Sequence, residues 1–288
     1  LYSIDAETGE PDPQFGENGY VDLGKGLRRD IDRHRYGISS PPIVCRDVVV
    51  VGSGIEDWHG RPPTEFSSPG AVRGFDARNG EQVWIFRTLP QPGEFGNDTW
   101  QGDSWKNRGG ANAWGGFSID EQRALVFCGL GSAAFDFYGG DRKGQNLLAN
   151  CTVALDARTG KRIWHYQTVH HDIWGMDNLP APILVTLNHD GYERDAVVQM
   201  TKQGWMFVLD RNTGEPIFPV EERSVPPSII PGEKTWPTQP YPLKPPPLIR
   251  QSFSEEDLSD VTPEIHAYVS EIYKKYTGVP MYTPHSLT

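Results

Sequence analysis

The sequence predicts an all-β fold, a β-propeller of four-stranded antiparallel blades, with about four blades within 288 residues. Three observations predict it. Short β-branched and aromatic runs alternate with turn residues, and long helical periodicity is nearly absent. One six-residue phrase also recurs four times, as IDAETG (4–9), FDARNG (75–80), LDARTG (155–160) and LDRNTG (209–214).

The strand runs are Ile43–Val51, Leu125–Cys128, Thr152–Leu155, Ala196–Met200 and Met206–Leu209, punctuated by Gly, Pro, Asn and Asp. Runs of this length between turn residues read as strands. Only Ser254–Tyr276 has a helical look, with Ser254 and then Thr262-Pro263-Glu264 placed as helix starts. Residues 224–250 are a proline-rich connection, too aromatic and apolar for a plain linker, expected to wrap over the surface. The chain thus divides into blades over 1–226 and a connection with a short helical insertion over 227–288, leading towards further blades.

In each copy of the repeat, Asp can bond the backbone N–H groups that follow it, and Gly supplies the positive φ of the return turn. The next strand then carries a bulky residue, Trp84, Trp164 or Phe218. Asp5, Asp76, Asp156 and Asp210 stand 71, 80 and 54 residues apart, room for one four-stranded blade plus loops per period. Radial repetition of small sheets protects strand edges, whereas so uneven a spacing argues against a solenoid. The repeated Asp, Gly and Trp hold blades together and do no chemistry.

At 37% hydrophobic residues the chain can bury a substantial core, as one large domain or two. A formal charge of −11 argues against a nucleic-acid backbone or an anionic membrane surface as main partner. No run approaches the roughly 18 apolar residues of a membrane span. The chain opens inside a repeat, without an initiator Met or signal peptide, and is expected to be a piece of something longer. Cys45, Cys128 and Cys151 are too scattered for a disulfide framework or a CxxC zinc site. They read as small buried apolar residues, with a Cys128–Cys151 bridge as the alternative. No CxxCH occurs, so these residues carry no covalently attached c-type haem.

The hairpin repeat resembles the tryptophan-docking motif of the pyrroloquinoline quinone (PQQ) dehydrogenases, which form eight-bladed propellers. The glucose-dehydrogenase-like branch is the nearer likeness. It rests on VRGFDARNGEQVW (72–84), FDFYGGDR (135–142), YQTVHHDIWGMDNLPAP (166–182) and TKQGWMFVLDRNTGEPIFPVEERSVP (201–226), in that order. The resemblance makes this chain a middle segment of a larger enzyme. It implies PQQ and a divalent cation, usually calcium, on the propeller axis. It also implies export to the periplasm, a sugar or alcohol substrate, and electrons passed to a quinone or cytochrome.

Site residues follow from the same resemblance. Trp114 in GGANAWGGFS falls where an indole forms the floor under the PQQ rings, although a Trp between glycines taken alone reads as core. Nearby Asn112 would orient a polar edge of the site. Lys202 in QMTKQGWMF matches a lysine that reaches the quinone oxygens, where a fixed cation stabilises developing negative charge. Its bland alternative is a solvated strand-end lysine. Glu56 and Asp57 in GSGIEDWHG fall at the metal-ligating pair, usually Asp-Asn in this branch. Hard oxygen ligands suit calcium, while adjacent loop carboxylates are also commonly just solvated.

The chief departure is at position 175. The family motif HHDxWD ends in the Asp that takes the substrate hydroxyl proton, and here the segment reads HHDIWGMD, with Gly175 in that place. If the segment is extended, Asp177 points to the same side and can substitute as the base. A second departure puts Ala133 and Ala134 where nearer relatives carry hydroxyls near the site. His170 and His171, adjacent and facing opposite ways in a strand, read as structural rather than as ligands. Trp100 and Trp105 line a substrate entrance or pack blade loops, and the sequence does not choose.

Two functions compete. One is a PQQ- and Ca²⁺-dependent oxidoreductase acting on an aldose or alcohol. The other is a propeller that has lost its chemistry and serves as a binding or assembly scaffold. Trp114 and Lys202 favour the first; Gly175, Ala133 and Ala134 favour the second. Fold alone does not choose between them.

Overall fold

All four Asp-x-x-Thr/Asn-Gly phrases fold into one kind of turn in the computed structural model, which describes residues 1–55, 67–275 and 280–285. The Asp156 carboxylate accepts from Arg158 N (3.0 Å), Thr159 N (2.9 Å) and Thr159 Oγ1 (3.0 Å). Asp5 and Asp210 repeat the pattern with Thr8 and Thr213. The closing glycine N–H returns to the aspartate carbonyl in every copy: Gly9 to Asp5, Gly80 to Asp76, Gly160 to Asp156 and Gly214 to Asp210. These glycines lie at φ between 67° and 75°, the left-handed region that L side chains rarely adopt.

The turns join strands into successive small sheets. In chain order the first strands are β1 (Tyr36–Gly37), β2 (Ile43–Cys45), β3 (Val48–Val51), β4 (Gly54–Ile55), β5 (Ala71–Asp76) and β6 (Gln82–Arg87). Strands β2-β3-β5-β6 form one four-stranded antiparallel blade, and β1 pairs with β4 as a ribbon outside it. The single run read over Ile43–Val51 is therefore two strands, separated by a turn at Arg46-Asp47 with Arg46 at φ 57°.

A second four-stranded blade comprises β7 (Phe117–Asp120), β8 (Leu125–Gly129), β9 (Cys151–Asp156) and β10 (Arg162–Gln167), in the order β10-β9-β8-β7. The third sheet has three strands, β11 (Ile183–His189), β12 (Tyr192–Met200) and β13 (Met206–Asp210). Its fourth position is reduced to a bridge, Leu209↔Pro216, with Ile217 N donating to Val208 O. Pro216 and Pro219 lack the N–H that a continued ladder needs.

The proline-rich connection is not wholly irregular. Within and beside it, β14 (Val220–Ser224) pairs with β15 (Thr238–Pro242), a contact that spans residues 226 and 227. The expected helical stretch is also interrupted: a 3₁₀ turn at Glu255–Asp257 precedes α1 (Pro263–Tyr273), with extended backbone at Leu258 and Thr262 between them. Pro263 disfavours helical geometry at the residue before it, so Thr262 becomes the N-cap and accepts from Ile265 N at 3.2 Å. No residue of α1 is buried.

The spacing of the repeat becomes packing between blades. Trp84 is 7% exposed and donates Nε1–H to Ala157 O at 2.9 Å in the next blade. Its ring leaves room at Gly160 for hydrogen only, since a Cβ there would stand 2.5 Å from the indole. Trp164 repeats the contact one blade on, donating to Arg211 O at 2.9 Å and lying against Gly214. At Gly80 the neighbours are instead Val21, at 2.7 Å from a built Cβ, and Phe15, at 3.2 Å. All three cysteines are free and buried. Cys128 faces Val153 across the β8–β9 ladder rather than Cys151, and burial pushes its thiol up to about 12.

Candidate active site

Three loops supply the side chains expected to carry chemistry: the segment before β7, the segment after β10, and the β12–β13 turn. In the last, Gly204 N donates to Thr201 O (2.9 Å) and Thr201 N to Trp205 O (3.0 Å), leaving Lys202 at the tip of a tight turn. After β10, Asp172 organises the chain around itself. It is 1% exposed and accepts from Trp174 N (2.8 Å), Met176 N (2.7 Å), Asn150 Nδ2 (2.9 Å) and Ser132 Oγ. Burial raises its carboxyl pKa, opposed first by the Ser132 hydroxyl and then by the Trp174 N–H. Within this turn Gly175 adopts φ 69°.

The segment is thus not the extended strand from which Asp177 was expected to reach the site. A left-handed turn at Gly175 brings it there instead, held from behind by Asp172. Asp177 Oδ1 accepts from Ser132 N at 2.8 Å and Oδ2 lies 2.5 Å from Lys202 Nζ. The same ammonium donates to Gly175 O at 2.7 Å.

Trp114, Asn112, Asp177 and Lys202 all line one cavity of about 510 Å³. The β1–β4 ribbon forms another of its walls, with Tyr36, Gly37, Gly54 and Ile55. Asn112 is 5% exposed and donates Nδ2–H to Ser53 O at 2.7 Å, which fixes its amide. Trp114 is half-buried, and Ser39 Oγ donates to its carbonyl at 3.2 Å. Gly131 lets indole and carboxylate approach each other: a Cβ there would stand 3.0 Å from Trp114 Nε1 and 2.5 Å from Asp177 Oδ1. Glu56 and Asp57 lie outside the described residues, directly after the cavity-lining Ile55. Among the described residues no group of three or more His, Cys, Asp or Glu side chains is placed to hold a metal ion.

The remaining candidates sort by contact. His171 is 4% exposed and donates Nδ1–H to Asn146 Oδ1 at 2.9 Å, while burial, with Arg142 nearby, lowers its pKa to about 3. His170 turns elsewhere, with Nε2 3.0 Å from Glu222 Oε1. Ala133 and Ala134 are buried behind the cavity and do not line it; the hydroxyl that serves this region is that of Ser132. Trp100 is 2% exposed and donates to Leu147 O at 3.0 Å, and Trp105 packs against the same cluster. Both are loop packing and neither lines the cavity. Sequence reasoning missed Asp136, His34 and Arg35, which do line it. Asp136 sits inside FDFYGGDR, but nothing in its spacing marks it out.

Residues 1–288 match the family model described as PQQ: glucose/ethanol/alcohol dehydrogenase, β-propeller domain. The glycerol dehydrogenase large subunit of Gluconobacter thailandicus is 33% identical over 290 residues, covering 100% of this chain and 38% of the relative. The quinoprotein glucose dehydrogenase of Gluconobacter oxydans is 37% identical over 243 residues, 83% of this chain and 29% of the relative. Among solved structures, the quinohemoprotein alcohol dehydrogenase from Comamonas testosteroni superposes with a TM-score of 0.62 at 25% identity, covering 85% of this chain and 35% of that one. The chain therefore spans roughly a third of the length of the relatives it matches.

Proposed function

This chain belongs to the PQQ glucose/ethanol/alcohol dehydrogenase β-propeller family, and from that premise we propose that it supplies one wall of the active site of a quinoprotein dehydrogenase. The substrate of this reading is an aldose or another alcohol, and the electrons leave to a quinone or cytochrome acceptor in an exported setting. The observation that carries it is the convergence of Trp114, Asn112, Asp177 and Lys202 on one cavity. Its volume falls within the roughly 300–1,000 Å³ of small-molecule and cofactor pockets.

The donor set suits a planar, anionic quinone. The indole of Trp114 offers an aromatic floor, and Asn112 a polar edge held in place by Ser53. Lys202, pinned by Asp177 and Gly175 O, is a fixed cation where negative charge develops on reduction. Calcium in this reading is held by Glu56 and Asp57, oxygen ligands of the type it prefers. When bound, PQQ supplies the two-electron oxidising capacity that no side chain has. The protein's own tasks are to stack and orient the ring, fix a cation at its edge, and accept the substrate hydroxyl proton.

The lack of a side chain at Gly175 favours the competing scaffold reading, and one titration separates the two. The full-length polypeptide is titrated with PQQ, with and without Ca²⁺, followed by absorbance, and then offered glucose, glycerol and a dye acceptor. Calcium-dependent binding with dye reduction is expected. No binding at micromolar PQQ would replace the dehydrogenase with a scaffold.

A further inference from the structure

We propose that Gln251 and Tyr282, both in the 227–288 connection, are positioning residues that hold the β12–β13 turn from behind and so aim Lys202 into the cavity. In the dehydrogenase reading above, on which this role rests, Lys202 is the cation at the quinone edge. The connection sets how far that cation reaches.

The turn over residues 201–205 has two faces. Lys202 lines the cavity, while Thr201, Gln203 and Trp205 are buried on the other side. Two segments of the connection cover that buried face. In the first, Leu248 N donates to Gly204 O at 2.7 Å and Gln251 Nε2 donates to Gln203 O at 2.7 Å, so the two carbonyls that follow Lys202 are both taken. Gly204, at φ 75°, lets this strap come so close: a Cβ there would stand 2.2 Å from Ile249 Cγ1. In the second segment, Tyr282 is 2% exposed, and its hydroxyl accepts from Gln203 Nε2 at 3.0 Å.

Tyr282 also joins the two loops that share the ion pair. Its ring centroid lies 4.9 Å from that of Trp174 and 5.9 Å from that of Trp205, edge-on to both. Trp174 stands in the loop that carries Gly175 and Asp177, and it donates Nε1–H to Thr283 O at 3.0 Å. Trp205 closes the turn that carries Lys202. Edge-to-face contacts fix ring orientation as well as burying area. One side chain thus spaces the two loops whose tips meet in the 2.5 Å contact of Lys202 with Asp177. Tyr282 does so at φ 64°, a left-handed backbone that a bulky residue keeps only where its surroundings hold it. A lysine has a flexible four-carbon stem, and it stabilises developing charge well only when its position is fixed beforehand.

Gln251→Ala and Tyr282→Phe each delete one hydrogen bond to residue 203 and leave most of the packing in place. Both are made in the full-length polypeptide and read in two ways. The first readout needs no cofactor: the rate at which acetic anhydride acetylates Lys202 in the apo-protein, by mass spectrometry, relative to exposed Lys275. Each variant is expected to raise that ratio about 2–10-fold, the effect of one hydrogen bond. The second is PQQ affinity with Ca²⁺ by absorbance titration, in the wild-type and the Lys202→Met backgrounds. Each variant is expected to weaken binding about 2–10-fold when Lys202 is present. In Lys202→Met the loss should shrink below about twofold, since a residue that acts through Lys202 has nothing left to aim. Unchanged acetylation of Lys202 in folded variants overturns the assignment. So does an equal loss of affinity in both backgrounds, the mark of a general structural role. Failure of the unaltered protein to bind PQQ sinks the dehydrogenase reading, and the acetylation ratio then still decides whether the connection holds Lys202. If Tyr282→Phe does not fold, Gln251→Ala decides by the same two readouts.

Discussion

Lys202 Nζ stands 2.5 Å from Asp177 Oδ2 and 2.7 Å from the carbonyl of Gly175, so one ammonium ties the β12–β13 turn to the loop after β10. Asp177 is in turn held by Ser132 N, and Ser132 Oγ donates to Asp172. Position 202 is thus fixed by a chain of contacts reaching from one buried carboxylate to another.

Lys202→Met removes the cation and leaves Asp177 charged, 6% exposed and short of a donor. Breaking a buried pair costs about 3–5 kcal/mol, and the exposure of Lys202 brings the expectation down to about 1–2 kcal/mol. Equilibrium denaturation should show that loss, with a smaller one for the double variant Lys202→Met/Asp177→Asn. Equal losses for the two would mean that the pair is not coupled.

Trp164→Phe keeps most of the ring but deletes the hydrogen bond to Arg211 O, at a cost of about 1 kcal/mol. Trp164→Ala empties the contact against Gly214 as well and should cost about 3–5 kcal/mol. Thermal or urea unfolding of both variants checks the order and the gap between them.

Gly160→Ala meets two penalties at once, a left-handed φ of 67° and a Cβ 2.5 Å from the Trp84 ring. A loss of more than about 1 kcal/mol is expected. Gly191, at φ 81° but with open space around it, supplies the control: Gly191→Ala carries the backbone term alone. A difference between the two variants in denaturation midpoint measures the inter-blade contact.

Stability should fall as pH drops from about 6.5 towards 4. Burial holds His171 down to about 3 and His165 to about 4, with Arg142 and Arg162 acting in the same direction. Both rings stay neutral in the folded protein across that window, while the unfolded chain protonates them below about 6.5, so acid favours unfolding. The slope is at most about 1.4 kcal/mol per pH unit for each ring. Asp172 acts the other way over the interval above 3.8, because burial raises its carboxyl pKa and favours the native protonated form. Melting temperatures of wild type and His171→Gln between pH 4.5 and 7 test the sign: the variant should show the flatter acid slope.

The turns were legible in the sequence because their determinants are local. Asp156 bonds N–H groups two and three residues on, and Gly160 needs only its own φ, so six residues suffice to specify the hairpin. The strand expected to carry Phe218 is only a bridge at Pro216, because Pro216 and Pro219 lack the N–H that a ladder needs, and the repeat beside them had suggested a full blade. Trp114, Asn112 and Lys202 were reachable through motif resemblance, and Asp177 through the gap left by Gly175. Asp136 was not, since it reaches the cavity wall from a separate segment after β8 that no motif spacing ties to the other lining residues.

By itself, then, the sequence determined the all-β architecture, the four Asp-x-x-Thr/Asn-Gly turns, and Trp84 and Trp164, which lock one blade to the next. These follow from hydrogen bonds within a few residues and from a repeat that places each Trp against the glycine of the following blade. Tertiary structure alone decided which side chains meet at the cavity. Asp136, Asp177 and Lys202 come from three separate loops, and their approach depends on how the blades stack and on close contacts at Gly131 and Gly175. Such distances arise from packing between remote segments, and no local pattern of residues encodes them.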